Sequence, residues 1–384
     1  MNEKDLISAR SKELLKSLVK IPSVNPFKPG GKGEKEIVQF IYEELRSHAI
    51  KAELQEVEEG RSNVIAVIEG KEKGPVLILN GHVDTVGVEN MQIEPFAAYE
   101  DQSGNVYGRG ASDMKGGVAA IMAAVESVAE VQDRIKGKII FSAVVDEEYL
   151  GKGTAKFAEK YSGDAAVVAE PTELKIGIAH KGMVWFRVRA KGRAAHGSVP
   201  ELGVDAIKMM CYFINAMYSY SFKRSHPLLG SPRIHASMIE GGSEWSKVPD
   251  TCVLSAERRI LPGESWESVR EELNEIITGL KNSGINFEGD VELVNEFPPL
   301  EIDPKQYIVT KLSEAVKKAK GNEPHLVGLT YWTDGATLSK KGIPTAVFGP
   351  GSISVAHAPV EYVKAEEVAL AAIAFRELIL SWGT

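Results

Sequence analysis

The feature that most constrains the fold is an alternation of short apolar runs with helical patterns. Apolar runs near residues 76–79, 138–145 and 165–169 alternate with helical patterns near residues 115–131 and 154–161. The same alternation returns near the carboxyl end of the chain, where two helical patterns flank an apolar run. Such alternation predicts an α/β fold in which helices cover a mixed, largely parallel sheet.

A stretch with a different pattern interrupts this alternation. Between residues 184 and 190, apolar and basic residues alternate, which is the period of a strand with one face in water. Counting this strand as the first, the predicted elements have the order βαββαβ, which is the ferredoxin-like α+β arrangement. A chain of 384 residues has room for two or three domains of ~150 residues. We therefore expect one domain formed by residues 1–180 and 296–384, and an inserted α+β domain formed by residues 181–295.

Charge and composition exclude several classes of function. The 45 Lys and Arg residues against 53 Asp and Glu give a net charge of −8, whereas nucleic-acid-binding proteins usually have a basic excess. The amino terminus is charged throughout, and no apolar run reaches the ~20 residues of a membrane-spanning helix. Two cysteines are too few for a disulfide framework. We expect a cytoplasmic protein without nucleic-acid or membrane partners.

Acidic and imidazole side chains stand where the predicted strands of the split domain end, or close to those ends. They are His82, Asp84, Asp113, Glu147, Glu148, Glu170 and His357. In open α/β sheets, ligands bind at the carboxyl ends of the strands. We therefore expect these side chains to lie together at one edge of the sheet.

Each of these residues, taken singly, has an ordinary structural alternative. His82 fits a hydrogen-bonded histidine at a strand end, Asp113 fits a helix cap, and the acids after residue 145 fit a solvated turn. The spacing of His82 and Asp84 also lets the carboxylate hold the imidazole in one tautomer. Taken together, two imidazoles and three carboxylates fit two divalent cations, because two such cations and one hydroxide balance the charge. Mixed nitrogen and oxygen ligands suit zinc, with cobalt or manganese as substitutes.

Short motifs around these residues follow one another along nearly the whole chain. They are GHVDTV, GRGASDMKGG, DEE, AEPT, GRAAHGS, ERRILPGE and GPGSISVAHAPVEYV. This ordered set resembles the M20 metallopeptidase family, the group of acetylornithine deacetylase, succinyl-diaminopimelate desuccinylase, aminoacylase and glutamate carboxypeptidase. The resemblance implies a zinc-peptidase-like catalytic domain that is interrupted by a lid and dimerisation domain, and hence a homodimer.

The resemblance also implies a ligand set for two divalent metal ions. One ion would be held by His82, Asp113 and Glu170. The other would be held by Asp113, Glu148 and His357, so that Asp113 bridges the two ions. The resemblance implies zinc as the bound metal.

Four residues receive catalytic or substrate-binding roles from the resemblance. Asp84 matches the family's orienting aspartate, and Glu147 matches the general base that activates a water molecule. His196 matches a histidine that stabilises the oxyanion, often from the other subunit, and its alternative is a surface-loop histidine. Arg259 matches an arginine that receives a substrate carboxylate, because a guanidinium binds carboxylates with two parallel hydrogen bonds. Its alternative is a solvated residue on a strand.

Three further positions match residues that contact the substrate in this family. Thr333 and Gly349 match positions that line the pocket. Ser246 departs from the pattern, because the family commonly carries Asn in the loop before Val-Pro-Asp, and here Ser246 follows Trp245. Serine is shorter and has no amide group, so we expect its contacts with the substrate to differ.

The reaction implied by the resemblance is hydrolysis of the amide bond of an N-acyl amino acid or diamino acid. N-acetylornithine and N-succinyl-diaminopimelate are examples, which would place the enzyme in arginine or lysine biosynthesis. A dipeptidase or carboxypeptidase with the same machinery is the nearest alternative, with a short peptide as substrate. A homologue that binds metal or ligand without catalysis is a more remote one.

Overall fold

The computed structural model describes residues 3–384, which form two compact units. Unit 1 contains the described residues up to Ile178 together with Ile302–Val327 and Thr333–Thr384. Unit 2 contains Ala179–Glu301 and Gly328–Trp332. The short segment Gly328–Trp332 belongs to unit 2 although it lies within the last of the three segments expected from the sequence. The expected domain boundaries themselves stay a prediction.

Helices and strands cover most of residues 3–384. The helices are α1 Glu3–Lys20, α2 Lys35–Ser47, α3 Gly116–Ala129, α4 Lys152–Lys160, α5 Ala206–Tyr218, α6 Trp266–Asn282, α7 Tyr307–Lys320, α8 Gly335–Lys340 and α9 Ala365–Ser381. The strands are β1 Lys51–Glu58, β2 Arg61–Glu69, β3 Glu72–His82, β4 Tyr99–Glu100, β5 Asn105–Tyr107, β6 Lys136–Val144, β7 Ala165–Val168, β8 Ile176–His180, β9 Gly182–Lys191, β10 Arg233–Gly241, β11 Thr251–Ile260, β12 Gly289–Phe297, β13 Leu300–Glu301, β14 Leu326–Leu329, β15 Thr345–Val347 and β16 Tyr362–Lys364. Short helical turns lie at Ala111–Lys115, Gln132–Arg134 and Pro200–Leu202. Within residues 3–384, no helix is both long and apolar enough to cross a membrane.

The main sheet of unit 1 has the strand order β1-β2-β6-β3-β7-β15-β8. Strand β3 runs parallel to β6 and β7, and β15 runs parallel to β7. Strands β1, β2 and β6 pair antiparallel, and β15 pairs antiparallel with β8. The predicted α/β fold with a mixed, largely parallel sheet is confirmed.

Both faces of the central strand β3 are buried, as is typical of a parallel strand that helices cover. Leu77 and Leu79 pack in a core with residues of α1, α3, α7 and α9. Ile78 packs in a separate core with Phe157 of α4 and Leu338 of α8. One apolar run serves both cores because successive residues of a strand point to opposite faces. This packing fixes the carboxyl end of β3, where His82 is the last residue.

Unit 2 contains the elements β9-α5-β10-β11-α6-β12, which is the predicted βαββαβ order. Its sheet has the strand order β10-β11-β9-β12, and all neighbouring strands in it are antiparallel. Alternate residues of β9, among them Val184, Phe186 and Val188, pack in a core with Phe213 of α5 and Leu273 of α6. The period-two pattern of β9 thus marks its buried face. The function of this unit as a lid and dimerisation domain stays a prediction.

Candidate metal centre

The five predicted metal ligands converge at one edge of the unit 1 sheet. His82 is the last residue of β3, Glu148 lies in the turn after β6, and Glu170 comes shortly after β7. Because β3, β6 and β7 are parallel, their carboxyl ends meet at the same edge. Asp113 lies in the helical turn before α3, and His357 lies in the loop between β15 and β16.

Asp113 lies between the two imidazoles of this cluster. Its Oδ1 is 3.0 Å from Nε2 of His82, and its Oδ2 is 3.3 Å from Nε2 of His357. Oε1 of Glu170 lies 3.7 Å from the same nitrogen of His82, and Oε1 of Glu148 lies 3.1 Å from that of His357. The structure thus brings together the two groups of residues in the implied ligand set, with Asp113 shared between them. Their role as ligands stays a prediction.

The donor atoms of this cluster fit divalent cations. Ligand atoms of His82, Asp113 and Glu148 all lie within 4.8 Å of one another, and so do those of His82, Glu147 and Glu170. Burial, together with neighbouring carboxylates, raises the pKa of Glu147 and the pKa of Glu170 well above their ordinary values. Buried carboxylates that resist ionisation indicate a shortage of positive charge, which two divalent cations would supply.

The two imidazoles respond to the same excess of carboxylates. Burial alone would lower the pKa of His82, but hydrogen bonds with Asp113 and Asp84 raise it well above its ordinary value. Burial likewise opposes protonation of His357, but hydrogen bonds with Asp113 and Glu148 raise its pKa to about 10. An imidazole must lose this proton before it binds a metal. We therefore expect metal binding at this cluster to release protons.

Asp84 holds the turn that carries Glu147 and Glu148. Its Oδ1 accepts a hydrogen bond from the Glu147 amide, and its Oδ2 accepts one from the Glu148 amide, both at 3.1 Å. Nδ1 of His82 lies 3.0 Å from the backbone oxygen of Asp84 and 3.5 Å from its carboxylate. The backbone oxygen and the carboxylate of Asp84 both lie close to this nitrogen, and the predicted role of the carboxylate in orienting the imidazole stays a prediction. Burial opposes ionisation of Asp84, but hydrogen bonds from His82 and Asn25 lower its pKa.

Two buried polar residues around the centre were not among the predicted ones. Nδ2 of Asn25 donates to Oδ2 of Asp84 at 2.8 Å and to Oδ1 of Asp146 at 3.2 Å. Glu361 accepts hydrogen bonds from the backbone amides of the Asp113 turn. Asn25 has no local signal, because its partners are distant in the sequence. Glu361 lies four residues after His357 in the motif GPGSISVAHAPVEYV, so its place near the centre could have been predicted from the sequence.

The predicted pocket residue Thr333 is fully buried. Its hydroxyl oxygen accepts a hydrogen bond from the Gly335 amide at 3.1 Å, at the start of α8. The next residue, Asp334, accepts a hydrogen bond from the Thr154 hydroxyl at 2.7 Å, and its Oδ1 has no partner within residues 3–384. Burial raises the pKa of Asp334 to about 7, against the effect of the Thr154 hydrogen bond. Contact of Thr333 with substrate stays a prediction.

Gly349 is required by the close approach of two backbone segments. A Cβ atom at this position would lie 2.4 Å from the backbone oxygen of Ala169 and 2.6 Å from that of Glu170. Such distances are far below van der Waals contact, so any side chain would displace the segment that carries Glu170. The packing accounts for the glycine, and its contact with substrate stays a prediction.

The remaining predicted residues, His196, Ser246 and Arg259, lie in unit 2. His196 is exposed, and its Nδ1 lies 2.8 Å from the hydroxyl of Ser198. Its segment lies beside that of Ser246, because the Gly197 amide donates to the Ser246 backbone oxygen at 2.7 Å. Arg259 lies on β11, where its Nε is 2.6 Å from a carboxylate oxygen of Glu257. The roles of these three residues stay predictions.

The sequence from residue 78 to residue 381 matches the profile of peptidase family M20/M25/M40. The chain belongs to this family. The match covers well over half of the chain and includes each of the five candidate ligands. The resemblance to M20 metallopeptidases is therefore confirmed, and the protein is a hydrolase that acts on amide bonds.

Proteins similar to this chain are named for different reactions. The chain is 27% identical to an N-formyl-4-amino-5-aminomethyl-2-methylpyrimidine deformylase of Bacillus subtilis, across 98% of this chain and 96% of the relative. It is 26% identical to a probable succinyl-diaminopimelate desuccinylase of Staphylococcus aureus, across 92% of each chain. Its fold matches a dinuclear metal-binding peptidase of Bacillus subtilis with a TM-score of 0.76, at 19% identity and 98% coverage of both chains.

Proposed function

We propose that this M20-family hydrolase is a di-metal enzyme that removes an acyl group from an N-acyl amino acid or diamino acid. The observation that carries the proposal is the position of Asp113, whose two carboxylate oxygens face His82 and His357 separately. A carboxylate in this position suits a bridge between two cations. The names of the deformylase and desuccinylase relatives support an acyl group as the part that is removed.

The residues that would hold the cations form two groups. One cation would be held by His82, Asp113 and Glu170, and the other by Asp113, Glu148 and His357. When bound, two divalent cations supply Lewis acidity that activates water and polarises an amide carbonyl. We propose zinc, because imidazole and carboxylate ligands suit it, with cobalt or manganese as substitutes.

Glu147 is proposed as the general base of the reaction. Its side chain is 10% exposed, and its Oε2 lies 3.9 Å from Nε2 of His82. Burial raises the pKa of this carboxyl, which brings it closer to the working pH at which general bases are most effective. Glu147 would accept a proton from the attacking water and pass it to the leaving amine. Asp84 would keep Glu147 and Glu148 in place through their backbone amides.

Residues of unit 2 and of the pocket are proposed to handle the substrate. His196 would stabilise the oxyanion that forms as water attacks, and Arg259 would receive the substrate carboxylate. Thr333, Gly349 and Ser246 would contact the substrate. These assignments rest on the family resemblance, and the exposure of His196 and the guanidinium chemistry of Arg259 are consistent with them.

A homodimer formed through unit 2 and a cytoplasmic location complete the proposal. Strand β10 lies at an edge of the unit 2 sheet and exposes Met238 and Ile239, by 63% and 51%. An exposed apolar edge strand is a template for pairing with another chain. The cytoplasmic location is supported by the small number of cysteines.

A metallo-dipeptidase or carboxypeptidase is the second candidate, and the fold match to a dinuclear metal-binding peptidase favours it. The test is a panel of N-formyl, N-acetyl and N-succinyl amino acids and several dipeptides, given to the zinc-loaded protein. N-acetylornithine and N-succinyl-diaminopimelate belong to the panel. We expect kcat/KM for the best acyl amino acid to exceed that for every dipeptide by at least ~10-fold, about 1.4 kcal/mol in transition-state binding.

A higher kcat/KM for a dipeptide than for every acyl amino acid would contradict the deacylase proposal and support the peptidase. Absence of hydrolysis of both classes, in protein shown to carry two zinc ions per chain, would contradict both proposed classes of substrate. The matched control is the same panel with chelator-treated protein, in which turnover should be lost for both classes of substrate.

A further inference from the structure

The carboxylate of Glu361 holds the backbone of the turn that carries Asp113. Glu361 is fully buried, and its Oε1 accepts hydrogen bonds from the amides of Ser112 at 3.0 Å and Asp113 at 3.1 Å. Its Oε2 accepts a hydrogen bond from Nη1 of Arg109 at 2.7 Å. Nε of Arg109 donates in turn to the backbone oxygen of Gly87 at 3.0 Å. Both oxygens of this buried carboxylate are thus engaged.

The backbone of Glu361 ties the same turn to the loop that carries His357. The amide of Gly108 donates to the Glu361 backbone oxygen at 3.0 Å. Strand β16 then begins at Tyr362, which pairs with Tyr107 of β5. Glu361 therefore lies at the junction where the His357 loop ends and the segment leading to Asp113 is held beside it.

We propose that Glu361 is a positioning residue for the metal centre, which acts by fixing Asp113 between His82 and His357. The inference rests on the proposed di-metal function. A carboxylate that accepts two amide hydrogen bonds and one from a guanidinium makes strong, charge-assisted contacts. Residues that orient metal ligands in this way typically change metal affinity or activity by ~10–100-fold when they are replaced.

The substitution Glu361→Gln tests this role with little change in size. An amide offers only one acceptor oxygen, and its NH2 group would face either the Arg109 guanidinium or the two backbone amides, which are all donors. The turn of Asp113 should shift or loosen as a result. Because Asp113 belongs to both groups of candidate ligands, we expect the affinities for both zinc ions to fall together, by ~10–100-fold.

The matched control is Glu264→Gln in unit 2. Glu264 is also buried, accepts a hydrogen bond from the Leu261 amide at 2.7 Å, and pairs with Arg258 at 2.9 Å. The substitution removes the same chemistry from a residue that belongs to neither group of candidate ligands. It should lower thermal stability as Glu361→Gln does, but leave the affinity for zinc unchanged.

The measurement is zinc binding to the chelator-treated full chain by titration calorimetry, with thermal unfolding recorded for each variant. Wild-type affinities in Glu361→Gln, a fall at one of the two sites only, or an equal fall in Glu264→Gln would each overturn the inference. If Glu361→Gln does not fold, Glu361→Asp keeps the charge but withdraws it from the amides, and it should lower both affinities. Unchanged affinities in that variant would overturn the inference as well.

The same titration separates this inference from the proposed function. A wild-type chain that binds fewer than two zinc ions contradicts the di-metal function itself, and the inference falls with it. A wild-type chain that binds two ions, together with a Glu361→Gln variant that binds them equally well, contradicts only the role of Glu361.

Discussion

The candidate ligands of unit 1 and the predicted substrate residues of unit 2 differ in how firmly the fold holds them. His82, Asp113 and Glu170 are buried and their side chains contact one another, whereas the side chain of His357 is 51% exposed. In unit 2, His196 and Ser246 are exposed, and the neighbouring Trp245 has a relative exposure of 108%. Most of the candidate ligands therefore lie buried at a sheet edge, whereas His196 and Ser246, two of the residues proposed to handle the substrate, lie in exposed loops.

With unit 2 handling the substrate as proposed, this difference would let the family keep one reaction while its substrates change. A buried carboxylate is costly unless it is paired, so replacing one member of the unit 1 cluster leaves the others without compensation. An exposed loop residue carries no such constraint. Ser246, at a position where the family resemblance leads us to expect Asn, fits this freedom. The deformylase and desuccinylase descriptions of two relatives also differ in the acyl group that they name.

The largest effect is expected for Glu147→Gln in the buried centre. The amide cannot accept a proton from water, so we expect kcat to fall by ~10²–10⁴ while two metal ions per chain are retained. The measurements are kcat on the best substrate of the panel and metal content by atomic absorption. Glu159→Gln, a change at an exposed carboxylate of α4, should have wild-type kcat. A Glu147→Gln variant with more than a tenth of wild-type kcat would remove this residue from the role of general base.

A smaller loss is expected for His196→Ala in the exposed region. Removal of one oxyanion donor typically lowers kcat by ~10²–10³, and the metal content should not change because no candidate ligand is touched. The control is His325→Ala, which removes an exposed histidine from unit 1. Loss of metal in His196→Ala would contradict the division between a metal centre in unit 1 and substrate residues in unit 2.

The sequence predicted the position of the candidate ligands better than the hydrogen bonds between residues around them. His82, Glu148 and Glu170 could be found because an apolar run ends just before each of them, and parallel strands bring such ends to one edge. The amide partners of the Asp84 carboxylate could not be predicted, because they lie more than 60 residues away in the sequence. Glu361 is 248 residues from the Asp113 amide that it holds. Local patterns identify residue types at strand ends, but not which atoms meet across the fold.

The fold shows a similar limit at its least buried strands. Strand β1 was not among the predicted elements, and most of its residues are exposed or half-buried. The hydrophobic pattern of β1 is therefore weak. Strands β3 and β6 are largely buried and have long apolar runs, which are easier to recognise. Gly328–Trp332 belongs to unit 2, and the sequence analysis found no pattern that marks this short segment.

His180 of unit 2 is a buried histidine like His82, but it lacks the carboxylate partners that His82 has. Its Nδ1 donates to the Lys181 backbone oxygen at 3.0 Å, and its Nε2 has no hydrogen-bond partner within residues 3–384. Burial lowers the pKa of His180 to about 4, against a small opposing effect of that hydrogen bond. In the unfolded chain the pKa returns to about 6.5, so between these values only the unfolded state binds the proton.

Stability should consequently fall as the pH is lowered through this interval. Above pH ~6.5 His180 is neutral in both the folded and the unfolded state, and below pH ~4 it is protonated in both. The free energy of unfolding therefore changes through His180 only between these pH values, by about 3 kcal/mol in total. The measurement is the free energy of unfolding in urea at pH 7 and pH 4. Replacing His180 by Leu should reduce the difference between the two pH values by about this amount, whereas His235→Gln should leave it as in the wild type. An equal pH dependence in wild type and His180→Leu would mean that this imidazole is solvated or paired in the folded protein. The contrast between an unpaired His180 and a carboxylate-paired His82 would then be wrong.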